Sequence, residues 1–104
     1  MLPAAESLVR CALLNGLEVS VGDGEAIDLV KSKDLKKIMD AVTALEEAVL
    51  TFNNPNDKTA YAGWARVSVH GLGPTEQVID CTMQSWIKAW SDAYDRMLDA
   101  ESAK

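Results

Sequence analysis

The stretch LEVSVGDGEAIDLV, Leu17–Val30, decides the fold, because the apolar period changes there from 3.6 residues to 2. Leu17, Val19 and Val21 alternate with Glu18 and Ser20, and Ile27 and Leu29 alternate with Asp28. Between the two runs stands GDGE, whose Asp-Gly pair signals a tight turn. The stretch predicts a β-hairpin with Ile27 and Leu29 sharing the core face and Asp28 turned away from it.

Upstream, Pro3 sits where a first helical turn tolerates proline, and Ala5, Leu8, Val9, Ala12 and Leu13 repeat at helical spacing. Asn15-Gly16 is the stop signal, and Cys11 lies beside the apolar stripe. Downstream, Ser32 or Asp34 can cap a second helix with the stripe Leu35, Ile38, Met39, Val42 and Leu45. Val49 to Phe52 are β-formers running into NNPND, which predicts a third strand near 48–53 and a turn over Pro55–Lys58. YAGWARVSVH (Tyr61–His70) reads as a fourth strand and EQVIDC (Glu76–Cys81) as a fifth. Thr82 then caps a third helix whose broad apolar face is Met83, Trp86, Ile87, Trp90, Tyr94, Met97 and Leu98. The expected fold is α+β in two layers, order α-ββ-α-βββ-α, with a mainly antiparallel five-stranded sheet and the helices on one face.

At 104 residues the chain has the length of a single domain, 1–104, with room for a real core. No apolar run approaches the ~18 residues of a membrane span, and the N-terminus lacks the basic region of a secretory signal. Cys11 and Cys81 belong to no Cys-x-x-Cys motif, so they read as buried thiols of a cytoplasmic protein. The net charge of −6 argues against direct nucleic-acid binding, which needs a basic surface. The basic stretch KSKDLKK, Lys31–Lys37, reads as a solvated helix start.

Candidate chemistry is sparse. A Ser68-His70-Asp80 triad is disfavoured, because Ser68 and His70 lie two apart on one expected strand and no nucleophile turn presents the hydroxyl. One histidine and two separated cysteines do not make a zinc set, and DGEAID lacks calcium-loop spacing, so no metal or other cofactor is expected. Gly71 and Gly73 lead into a strand rather than a helix N-terminus and read as turn geometry. No catalytic residue is therefore assigned. Alternation instead places Trp64 on the sheet face away from the helices, with Glu18, Ser20, Asp28, Thr51, Arg66, Ser68, His70 and Asp80. Tryptophan and arginine on a polar face are binding hot-spot residues. Asp92, Asp95 and Asp99 fall opposite the apolar stripe of the last helix, either as a solvated face or as an acidic strip for a basic partner. Candidate partner-binding residues are thus Trp64, Arg66, His70, Asp80, Asp92, Asp95 and Asp99.

YAGWARVSVHGLGPTEQVIDCT followed by WSDAYD resembles a loose group of small proteins of bacteriophages, prophages and other mobile elements. The matching residues are Lys31, Ser32 and Asp34, Gly63 and Trp64, Gly71 to Pro74, and Val78, Ile79 and Asp80. The long C-terminal helix with two tryptophans departs from the group's shorter ending. The resemblance implies a non-enzymatic inhibitor, of anti-CRISPR type, that works in the cytoplasm of a bacterial host. It would block a protein or ribonucleoprotein machine with a basic surface. The alternative is a phage accessory or assembly protein acting through self-association, as a homodimer for instance.

Overall fold

The computed structural model describes residues 3–56 and 61–102. Helix α1 spans Ala4–Leu14 and the hairpin strands are β1 (Glu18–Gly22) and β2 (Ile27–Ser32). Helix α2 (Leu35–Thr43) leads to β3 (Ala48–Asn53), β4 (Tyr61–Val67), a 3-10 turn at Pro74–Glu76, β5 (Val78–Cys81) and α3 (Ser85–Ser102). The strand order is β2-β1-β3-β4-β5, and every neighbouring pair is antiparallel. This is the expected α+β architecture.

Local chemistry explains the boundaries. Helix α1 ends in a Schellman motif: Leu17 N–H donates to the Ala12 carbonyl (3.1 Å) and Gly16 N–H to the Leu13 carbonyl (3.0 Å). Gly16 adopts φ +77°, as that motif requires. At the other end of α1, Ala5 N–H donates to Gln77 Oε1 at 3.1 Å, a cap supplied from 72 residues away. Asp34, rather than Ser32, caps α2, accepting from Lys36 N–H (3.0 Å) and Lys37 N–H (3.3 Å). Ser32 Oγ instead accepts from Asp34 N–H (3.1 Å).

The helices bury one face of the sheet. Val19 and Val21 of β1, Ala48, Leu50 and Phe52 of β3, and Ala65 and Val67 of β4 form one core with Leu8, Val9, Ile38, Val42 and Ile87. The chain entering α3 packs tightly on β4 at Gly63, whose φ is +117°. A Cβ there would lie 2.6 Å from Thr82 Oγ1, 2.7 Å from Gln84 Oε1 and 2.9 Å from Ile87 Cδ1. Trp86 closes the same junction: its ring meets Phe52 edge-on (centroids 4.9 Å apart) and its Nε1 donates to the Ala62 carbonyl at 2.8 Å. Trp90 ties α3 to α1 by donating to Ser7 Oγ at 2.9 Å and stacks on Tyr94.

Four expectations need correction. Strand β4 stops at Val67, because Ser68 N–H turns to the Gln77 carbonyl (2.9 Å) and its hydroxyl donates to the Glu46 carbonyl (2.7 Å). Thr82 does not cap α3; its N–H donates to the Trp64 carbonyl and its hydroxyl accepts from Trp64 N–H, both at 3.0 Å, which prolongs the β4–β5 pairing. Met83 therefore precedes the helix and is exposed, as is Met97. Ile27 and Leu29 do not share a face. Leu29 pairs with Val21 and Ile27 with Gly22, so a bulge between them sends Leu29 inward and Ile27 outward. The expected turn over Pro55–Lys58 is seen at Pro55 and Asn56, where Asn54 Oδ1 accepts from Asn56 N–H (3.0 Å); its remainder lies outside the described residues.

The Gly63 junction predicts a graded glycine effect. We expect Gly63→Ala to destabilise by roughly 2–3 kcal/mol, since strain and overlap act together. Gly16→Ala meets nothing within 4 Å and should cost only about 1–2 kcal/mol for its left-handed backbone. Urea unfolding of the two variants gives the ratio, and equal losses would remove the case for a tight α3–β4 junction.

Candidate docking face of the sheet

The strand register draws the uncovered face of the sheet residue by residue. One row across it runs Ile27, Gly22, Val49, Arg66, Asp80; the next runs Ser20, Thr51, Trp64; a third runs Glu18, Asn53, Tyr61. Trp64 is thus directed away from the helix layer, as alternation predicted, and so are Glu18, Ser20, Thr51, Arg66 and Asp80. The pattern missed Ile27, which is 66% exposed, and it left out Val49 and Tyr61. The β2 bulges moved Ile27 across, a tertiary event with no local signal. Val49 was legible in the period of β3, because it alternates with Leu50.

Among the described residues, this face carries a pair of adjoining hollows. The first, about 280 Å³, has Ser20 and Gly22 as its floor and Ile27, Val49, Thr51 and Glu25 around it. The second, about 260 Å³, is bounded by Val49, Thr51, Tyr61, Trp64 and Arg66. They share Val49 and Thr51 of β3 as a ridge. Ser20 Oγ accepts from Lys31 N–H at 3.0 Å and so holds the bulge in β2, where Lys31 adopts φ +46°. Arg66 Nε stands 3.4 Å from Glu47 Oε1, an exposed pair that fixes orientation more than stability.

The remaining candidates lie elsewhere. His70 is not on the sheet face: its Nε2 is 2.6 Å from the carbonyl of Thr43, the last residue of α2, to which it donates. Ser68 is buried beyond the end of β4. The hydroxyl and the ring thus each bond a backbone carbonyl. Asp92, Asp95 and Asp99 are exposed on α3 and belong to the helix layer, whereas Trp64 looks out from the other side of the sheet. Asp80, on edge strand β5, borders both regions. With Asp95 it lines a groove of about 340 Å³ between β5 and α3, beside Ile79, Met83 and Trp90. The seven candidates therefore form no single surface. Trp64, Arg66 and Asp80 come together on the open face, the three α3 aspartates form a second acidic surface, and His70 serves the end of α2.

Both cysteines are free and half-buried, less enclosed than expected. Burial pushes the Cys11 thiol up, partly opposed by the Asn15 hydrogen bond, and burial followed by the Asp80 charge does the same for Cys81. Both shifts disfavour the thiolate. Among the described residues no group of three or more His, Cys, Asp or Glu is placed to hold a metal ion, and no helix is long and apolar enough to cross a membrane. No protein-family model matches the chain, and neither the curated proteins nor the solved structures contain a significant match.

The β1–β2 turn walls the first hollow, and it depends on one carboxylate. Asp23 Oδ1 accepts from Ala26 N–H (2.8 Å) and Glu25 N–H (2.9 Å), and these bonds hold its pKa below the ordinary 3.8. A depressed folded value means that the stabilisation is present above the ordinary value and is lost as pH falls through the folded one. We expect the Glu25 and Ala26 amide protons to move upfield together in an NMR titration below pH ~4. In Asp23→Ala the two resonances should already start near those positions and stay flat; a titration unchanged by that substitution would assign the effect to another group.

Proposed function

We propose that the protein is a non-catalytic binding protein that acts by occupying the surface of a partner protein through the open face of its sheet. The observation that carries this reading is the patch of Ile27, Val49, Thr51, Trp64 and Tyr61, which spans three rows opposite the helix layer and is rimmed by carboxylates. Apolar and aromatic groups in the middle of a polar rim are the anatomy of a protein interface. The net charge of −6 favours a partner with a basic surface. Together with the resemblance to phage and mobile-element proteins, this supports an inhibitor that blocks a host defence machine. A CRISPR effector, with its basic nucleic-acid channel, is the leading target.

The alternative of self-association has less support from the sheet edges. Thr82 and Trp64 form a hydrogen-bonded pair, so alternation turns Cys81 N–H outward at the β5 edge; Asp80 Oδ1 takes it at 2.9 Å. The β2 edge carries two register shifts. Both are devices that block edge-to-edge pairing.

Pull-down from host lysate followed by affinity measurement tests the reading. We expect Trp64→Ala to weaken capture by about 2 kcal/mol or more, roughly thirtyfold, and binding to weaken as salt rises. If Trp64→Ala binds normally while Asp92→Lys with Asp95→Lys abolishes capture, the α3 surface makes the contact and the open-face reading fails.

A further inference from the structure

We infer that the open face takes an amphipathic α-helix of the partner, with one large apolar side chain seated in the hollow over Ser20 and Gly22 and lysines or arginines reaching the rim. This rests on the docking role proposed above for the same face.

The hollow is a built feature. A Cβ at Gly22 would collide with the Ala26 carbonyl, so its floor can hold nothing larger than glycine without moving the turn. At about 280 Å³ it is an open hollow with room for a large apolar side chain. The second hollow lies across the β3 ridge, and strands are about 4.8 Å apart. One to two strand spacings, ~5–10 Å, match side chains at i, i+4 and i, i+7 of a helix.

Charge selects the sign of the partner. Glu18, Glu25, Glu47 and Asp80 stand around the apolar patch, and Arg66, the one cation lining either hollow among the described residues, is held 3.4 Å from Glu47. Lys36 and Lys37 are in the first turn of α2, in the helix layer, and Lys31 is on edge strand β2, where its N–H donates to Ser20 Oγ but its side chain lines neither hollow. A second copy docking face to face would oppose two acidic rims. A strand partner would need a free edge, and both edges are blocked as described. A basic helix meets these constraints, and the apolar patch then becomes a buried layer between two layers of helix.

The test titrates the isotope-labelled full chain with an amidated peptide carrying leucine and lysine at helical spacing. Two peptides of equal length serve as comparators, one with glutamate for lysine and one alternating lysine with valine. We expect the first to shift the amides of Ser20, Ile27, Thr51 and Trp64, to spare Asp92 to Asp99, and to gain helical circular dichroism on binding. Ile27→Glu removes an apolar wall and adds a negative charge at an exposed site, so it should bind about fivefold more weakly here, whereas charge attraction alone would make it tighter. Tighter binding to that variant, equal binding of the alternating peptide, or shifts confined to α3 would each overturn the inference. Partner capture that needs Trp64 with no response to the helical peptide keeps the docking face and rejects the helix. A peptide response with capture indifferent to Trp64 keeps the helix site and rejects the face as the route to that partner.

Discussion

The alternation of β3 is the constraint on which the rest of the molecule depends. Ala48, Leu50 and Phe52 are fully buried on one side, and Val49 and Thr51 are half-buried on the other. As the middle strand, β3 passes this division to β1 and β4 through its register, and from them to both edges. A slip of one residue would exchange the faces, placing Phe52 in water and Thr51 under the helices. Phe52 is also the ring against which Trp86 packs, so the same alternation seats α3.

Among the described residues, three helices cover one face of the sheet and no element covers the other. Antiparallel sheets tolerate this when the open side is polar, but here the middle of that side holds Val49, Thr51, Trp64 and Tyr61. The bulges of β2 add Ile27 and give Lys31 its positive φ, a conformation held by the Ser20 hydroxyl. The device that blunts the edge thus also supplies the wall of the hollow. Asp80 plays a comparable double part on β5, covering the outward Cys81 N–H while adding its charge to the rim.

Much of the fold was legible because it follows local rules. Asn15-Gly16, Asp23-Gly24 and Asp34 each act through their own backbone neighbours, and each does what its residue type predicts. The range of β3 was legible for the same reason, since β-branched residues run into a strong turn there. The errors share a different cause. Thr82 has the residue type of a cap, but its hydroxyl is taken by Trp64, 18 positions away. Ile27 follows a pattern of period 2 that a bulge interrupts, and His70, beyond the end of β4, gives its ring to the Thr43 carbonyl 27 positions away.

By itself the sequence determined the order of elements, the two-layer α+β architecture, the buried face of β3 and the outward direction of Trp64, since apolar period and turn chemistry are properties of neighbouring residues. Only the tertiary structure decided where β4 ends, which way Ile27 points and which of the candidate residues share a surface. Those outcomes depend on hydrogen bonds and strand registers between distant segments, such as Gln77 with Ala5 and Ser68 with Glu46. Such pairings exist only once the chain has folded, and no local period encodes them.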